Sequence, residues 1–287
     1  MKNTASKAIL YDDHCPMCAL YTQGFVKWGV LKPENRVAFT QASKVLSPES
    51  DHGQLDSVRS RHEIPLIDLH GGPTLYGIDA MVYLLGQRLP LIRKTMQLKP
   101  VYAFFRFLYA LVSYNRRIMV PSSGPTATFD CTPLYHHGYR LSFIGYGIVL
   151  ASLITLAFGQ SVAGYWPIPG AATKMLLICG SGWVLQMGMA VLLLEKKAVD
   201  YLGHLSVLMI IGTLVLLPGM ALSQVTQYQF PAIPAISIVI SSGLMTWQHI
   251  RRVQHLGLSQ WWTCTWFLSL QSTAAIWLAA FWFHQIA

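Results

Sequence analysis

Cys15 and Cys18 are separated by Pro16 and Met17, a spacing at which two thiols can close a small disulfide and open it again. The attacking species in that chemistry is a thiolate, and an unperturbed cysteine with a pKa of ~8.5 is mostly protonated at neutral pH. A helix starting at this pair puts Cys15 at the N-terminus, where free N–H groups and the macrodipole favour the anion, and Cys18 one turn further in. The assignment that follows is Cys15 as nucleophile and Cys18 as the thiol that resolves the mixed disulfide. Three neighbours bear on the thiol pKa: protonated His14 favours the thiolate, whereas Asp12 and Asp13 oppose it.

A metal site competes for the same pair. Zinc takes four ligands, no second Cys-x-x-Cys is present, and the further ligands would have to be Cys131, His136 and His137. Covalent haem is disfavoured because Ala19 stands where a Cys-x-x-Cys-His motif needs histidine. No cofactor beyond the redox-active dithiol is expected. Cys179 and Cys264 read as packing residues in apolar segments, and Cys131 lies in a linker able to bring it toward Cys15.

The elements that position the pair read in order. Residues 9–11 form a short apolar strand, and a helix from Cys15 carries Cys18, Tyr21, Phe25 and Trp28 at helical spacing until Gly29. Pro16 fits its first turn, where a missing N–H costs nothing. Residues 36–40 alternate as a second strand, and 47–61 read as a polar surface helix. Residues 64–69 form a third strand, with 74–76 returning beside it as a hairpin partner, and 78–85 form an apolar helix stopped by Pro90. Strand, helix, strand, then hairpin and helix is thioredoxin-like topology.

The resemblance then narrows. Tyr11-Asp12-Asp13-His14-Cys15-Pro16-Met17-Cys18, Tyr76-Gly77-Ile78-Asp79-Ala80, and Leu108-Tyr109 with Ser113-Tyr114-Asn115-Arg116-Arg117 resemble the landmarks of the DCC family of predicted thiol-disulfide oxidoreductases, over about residues 7–120. The family takes its name from the Asp and two Cys of Asp-Gly-x-Cys-x-x-Cys, and Asp13 stands here in place of its Gly. Cys131-Thr132-Pro133 and Tyr139-Arg140 are similar to family members carrying a C-terminal membrane domain. The resemblance implies a fold and dithiol redox chemistry, with no substrate. Ile64-Pro65 resembles the cis-proline site that faces the Cys pair in thioredoxins, where a cis bond would turn the backbone of Ile64 toward a bound substrate; a trans proline opening an edge strand is the other reading.

Beyond residue 140 the composition changes. Residues 1–140 hold 16 Lys/Arg and 10 Asp/Glu, whereas 141–287 hold five Lys/Arg and two Asp/Glu. Five segments, 141–160, 175–194, 205–222, 231–247 and 261–283, approach the ~20 apolar residues that cross a bilayer, the fourth weakened by Pro231 and Pro234. Arg116, Arg117 and Arg140 precede the first, Lys196 and Lys197 follow the second, and Arg251 and Arg252 follow the fourth. Loops 161–173 and 223–230 contain no Lys or Arg. By the positive-inside rule the N-terminal domain is cytoplasmic and the C-terminus outside. Trp166, Trp247, Trp261, Trp262 and Trp282 fall at span ends, as an aromatic belt requires. The bases flank apolar segments rather than interleaving with aromatics, so the net charge of +9 points to a membrane surface and away from nucleic acid. No secretory signal is visible in the polar start.

The run 91–120 is amphipathic and aromatic; Arg106 within it favours a helix packed on the soluble domain or lying in the interface over a sixth span. The expected organisation is a thioredoxin-like α/β domain over 1–120, a linker over 121–140 and an all-α transmembrane bundle of about five helices over 141–287. The expected function is a multi-pass reductase of the cytoplasmic membrane, acting on a disulfide-bearing protein or a small thiol substrate. A non-enzymatic membrane adaptor with a structural or metal-binding Cys pair is the alternative.

Overall fold

The structure, a computed structural model, describes residues 7–44, 55–121 and 133–286. The chain forms two compact units, meeting between Arg140 and Leu141. The linker expected over 121–140 is thus assigned to the first unit, and its residues 122–132, Cys131 among them, lie outside the described residues.

The first unit is built on a four-stranded sheet. Strand β1 (Lys7–Tyr11) pairs in parallel with β2 (Arg36–Ala38) and antiparallel with β3 (Pro65–Asp68), which pairs antiparallel with β4 (Leu75–Tyr76), giving the order β2-β1-β3-β4 among the described residues. Both faces of β1 are covered, which is why it reads as a continuous apolar run rather than an alternating one. Ile9 packs on one side with Phe25, Leu66, Ala80 and Leu84. Ala8 and Leu10 pack on the other with Val37, Phe39 and Ile67. Full burial of Ile9, Leu10 and Leu66 is worth roughly 1.5–3 kcal/mol each.

Helix α1 (Pro16–Lys27) follows β1 directly, with Cys15 as its extended N-cap and Pro16 in its first turn. The second strand is shorter than its pattern predicts, because Phe39 begins a 3-10 stretch. Most of the predicted 47–61 helix lies outside the described residues; its end is the single turn α2 (Ser57–Ser60), capped by the Asp56 carboxylate. Helices α3 (Gly77–Leu85), α4 (Pro90–Thr95) and α5 (Lys99–Met119) complete the unit.

The second unit is all helical: α6 (His137–Ala163, entering from the first unit), α7 (Ala171–Leu193), α8 (Ala198–Leu214), α9 (Leu216–Val225), α10 (Ala232–His255) and α11 (Trp261–Ile286). Among the described residues, four segments are long and apolar enough to cross a membrane: His137–Ala163, Ala171–Leu193, Glu195–Val225 and Trp261–Phe281. This differs from the five expected. α10 has the length, but Gln248, His249, Arg251 and Arg252 in its last turns lower its mean hydropathy.

The packing of this unit is inside out relative to a water-soluble bundle. Leu192 is 79% exposed and Val184, Val239 and Ile276 are also mostly exposed, whereas Gln186, Ser206 and His249 are buried. Apolar side chains outside and hydrogen-bonded polar ones inside are what hydrocarbon solvent selects. The unit is multi-pass membrane protein in character, with a bilayer as its surroundings.

Its interior holds polar and charged side chains that the few charges beyond residue 140 do not announce. Tyr201 Oη meets His249 Nε2 at 2.9 Å and accepts a hydrogen bond from Gln186 Nε2 at 2.8 Å, and His249 Nδ1 lies 3.1 Å from Thr263 Oγ1. Arg252, read from the sequence as a loop charge, is buried with Nη1 2.9 Å from His204 Nδ1. These partners stand on α7, α8, α10 and α11, so none is a sequence neighbour of the group it satisfies.

Candidate functional site

The Cys pair sits where β1 hands over to α1. Asp12 ends the strand, and its Oδ1 accepts the His14 N–H at 3.1 Å while its carbonyl accepts the Cys15 N–H at 3.2 Å, a tight turn that sets Cys15 at the helix start. Cys18 lies one turn on, and both cysteines are free thiols. The Cys18 carbonyl accepts a hydrogen bond from Thr22 Oγ1 at 2.7 Å, and Arg36 Nε donates to that same hydroxyl, tying α1 to β2 behind the pair.

The two thiols are driven apart in acidity. Cys15 is lowered from 9.0 to about 6, first because the Cys18 thiol donates to its anion, a gain that outweighs the cost of burial, with the Arg116 cation adding to it. Cys18 is pushed up, first because it is that donor and then by burial. The direction matches the roles expected of a nucleophile and a resolving thiol. Both are closed off from solvent in this conformation, Cys15 at 1% exposure and Cys18 at 5%.

Arg116 stands in the sequence within the Ser113–Arg117 landmark and as a charge preceding the first span, with no role assigned to it at the Cys pair. The structure buries it in α5, with Nη2 3.7 Å from Asp12 Oδ2. Burial works against its charge, but the fields of Cys18, Cys15 and Asp12 outweigh that and hold it protonated. Tyr21, also unassigned from sequence, hydrogen-bonds Cys18 and is held protonated by burial.

Of the three residues expected to tune the pair, Asp12 acts on it, opposing the Cys15 anion. Asp13 is engaged elsewhere: it accepts a hydrogen bond from Thr40 Oγ1 at 2.9 Å and stands 3.9 Å from the His14 ring. His14 was expected to offset Asp12 and Asp13 at Cys15; the charged groups acting on that thiol are Arg116, which favours its anion, and Asp12, which opposes it.

Ile64-Pro65 is trans, as is every peptide bond among the described residues, so the cis alternative is corrected. Pro65 opens β3 opposite Tyr76. The Ile64 N–H donates to Tyr109 Oη at 3.0 Å, and its carbonyl accepts from the Gly77 N–H at 2.9 Å. A substrate backbone therefore finds both polar groups of Ile64 already taken. Burial chiefly raises the pKa of the Tyr109 hydroxyl, and Cys18 adds to that rise.

The landmark residues have distinct positions around that turn. Gly77 holds φ +55°, and a Cβ there would come within 3.1 Å of both Glu63 Cγ and the Tyr109 ring. Asp79 accepts the Tyr102 hydroxyl at 2.9 Å. Ser113 donates to the His62 carbonyl, two residues before Ile64. Asn115 donates to the Tyr139 carbonyl at 3.1 Å, and Tyr114 stacks between His62 and Tyr139. Beside the turn lies a cavity of ≈ 510 Å³ walled by Arg59, Glu63, Asp79, Arg106, Tyr109 and Tyr114, among others.

The metal reading calls on Cys131, which lies outside the described residues, so only its other candidate ligands are placed. The group of three possible ligands found among the described residues is Asp12, Asp13 and His14, not the two sulfurs, and Asp12 already faces the Arg116 cation. His136 packs on Tyr114 and Tyr139, and His137 Nδ1 lies 3.0 Å from Tyr135 Oη. Cys179 and Cys264 are free thiols on the second unit. Comparison with family models, with curated proteins and with solved structures finds no match to this chain.

Proposed function

We propose that this chain is a membrane-tethered thiol-disulfide oxidoreductase of the DCC type, working as a reductase through Cys15 and Cys18. The observation that carries the reading is the placement of two free thiols one turn apart at the start of α1, Cys15 as its N-cap, where the Cys18 thiol and the buried Arg116 both favour the Cys15 anion. The sheet order β2-β1-β3-β4, with β3 alone reversed against β1 and β4, supports a thioredoxin-like domain.

The Cys15 thiolate attacks one sulfur of a substrate disulfide; that S–S bond breaks, and the departing thiolate takes a proton from solvent. Once Cys15 is in the mixed disulfide its anion is gone, and with it the main reason that Cys18 holds its proton. Cys18 then ionises and attacks Cys15 Sγ, releasing the second substrate thiolate and leaving a Cys15–Cys18 disulfide. Two electrons pass to the substrate, and a cellular dithiol returns them.

Lys197 donates from the α7–α8 connection to the Leu256 carbonyl after α10, so Lys196, Lys197, Arg251 and Arg252 collect at one end of the bundle. The opposite end, where Tyr165 Oη donates to Ser223 Oγ, carries the loops without Lys or Arg, with Lys174 in the first turn of α7 as the exception on that side. That segregation supports a cytoplasmic N-terminal domain, with α10 as a fifth crossing and the C-terminus outside. A reducing cytosol keeps the dithiol reduced.

One observation favours the second reading, an adaptor with a structural Cys pair: the burial of both thiols. Turnover of a small disulfide by the full chain in detergent, with Cys15→Ser and Cys18→Ser alongside, separates the two. Loss of reduction in Cys15→Ser and trapping of a mixed disulfide in Cys18→Ser support the reductase; an inert wild-type pair supports the adaptor.

A further inference from the structure

The segment from Ala80 to Met119 contains seven Lys/Arg and no Asp/Glu. Five of those bases, Arg88, Arg93, Lys94, Lys99 and Arg106, are exposed. Between them stand apolar side chains that the first unit does not cover: Leu91 is 71% exposed, Leu98 57% and Phe104 56%, with Phe105 and Val112 also exposed. Phe105 and Val112, seven residues and two helical turns apart, lie along one stripe of α5, whose extended N-cap is Leu98.

The two halves of α5 do different work. Its C-terminal half buries Leu111, Ser113, Asn115, Arg116 and Ile118 in the first unit, and its N-terminal half leaves Phe104 and Phe105 exposed. A helix that buries Asn115 and Arg116 in protein and carries Arg106 midway does not cross hydrocarbon. Exposed Phe and Leu interleaved with Lys and Arg, with no acid among them, is instead the composition of a helix lying in a lipid interface.

We infer that α4 and the N-terminal half of α5 dock on an anionic bilayer surface, with Leu91, Leu98, Phe104 and Phe105 in the acyl boundary and Arg88, Arg93, Lys94 and Lys99 on acidic headgroups. Charge complementarity selects this occupant. A second copy presenting the same face would set five exposed cations against five, which opposes association, whereas acidic lipid attracts each of them. The inference stands apart from the redox reading and survives if the Cys pair proves inert.

The test uses the full chain in phosphatidylcholine vesicles with and without phosphatidylglycerol, doped with a phosphatidylcholine whose acyl chain bears a photoactivatable group, and reads labelled peptides by mass spectrometry. Labelling of the 89–106 peptide is expected with phosphatidylglycerol. It should fall about tenfold or more on exchanging Arg88, Arg93, Lys94 and Lys99 for Gln, while the α6 and α11 peptides stay labelled. Three results overturn the inference: no labelling of 89–106 while α6 and α11 are labelled, labelling indifferent to the four substitutions and to phosphatidylglycerol, or a cross-link joining 89–106 to a second copy.

Discussion

The Arg116 guanidinium lies 3.7 Å from the Asp12 carboxylate, and both residues are buried beside the Cys15/Cys18 pair. The two act on Cys15 in opposite senses, the cation stabilising its thiolate and the carboxylate opposing it. The acidity of the candidate nucleophile is thereby set jointly by a residue three positions away and one on a distant helix.

Arg116→Gln should raise the Cys15 pKa and Asp12→Asn should lower it, read as the midpoint of alkylation rate against pH. Each variant also leaves a buried charge without its partner, and a stability loss on the order of 3 kcal/mol is expected for either. Arg116→Lys should restore part of the midpoint, a result that a merely space-filling role would not give.

The pH profile of the wild-type pair has a definite sense. Cys15 is held down to about 6 and Cys18 is held up, so one fast-reacting thiol should titrate in well below 9.0 and the second should stay slow through neutral pH. In Cys18→Ala, Cys15 loses the thiol that donates to its anion, and its alkylation midpoint should move up.

Much of this arrangement is local and was therefore readable. Asp12, the Cys15 cap, Pro16 and Cys18 lie within seven residues, and strand pattern, turn and helix start all agree there. The role of Arg116 was not readable, because its partner is 104 positions away and an arginine near a predicted span looks like a topology signal. Arg252 misled in the same way: only packing of α8 on α10 shows that it faces His204. The trans bond at Ile64-Pro65 belongs to the same class, since the Gly77 and Tyr109 contacts that occupy Ile64 come from positions 13 and 45 residues on.

Gly77→Ala should be destabilising by roughly 1–3 kcal/mol, from the positive φ and from the crowding of a Cβ against Glu63 and Tyr109. Thermal unfolding of the full chain in detergent measures it, and Ala at Gly24, where a Cβ meets nothing within 4 Å, is the control.

Tyr109→Phe removes the hydroxyl that accepts the Ile64 N–H and leaves a buried donor unsatisfied, at a cost of about 1–3 kcal/mol. Faster amide exchange at Ile64 is the accompanying signature.

In the membrane unit Tyr201→Phe breaks the link between Gln186 and His249 together. Polar contacts between membrane helices average about 0.6 kcal/mol with a ceiling near ~1.7. A modest fall in detergent unfolding temperature is expected, not loss of the fold.

The most direct test of the central claim is the redox equilibrium of Cys15 and Cys18 in the purified full chain, poised in dithiol buffers, quenched with acid and counted by mass spectrometry. A reversible two-electron couple between about −120 and −270 mV is expected, abolished in Cys15→Ser and in Cys18→Ser. A pair that forms no disulfide across that range, or one that forms it and cannot be reduced again, would contradict it.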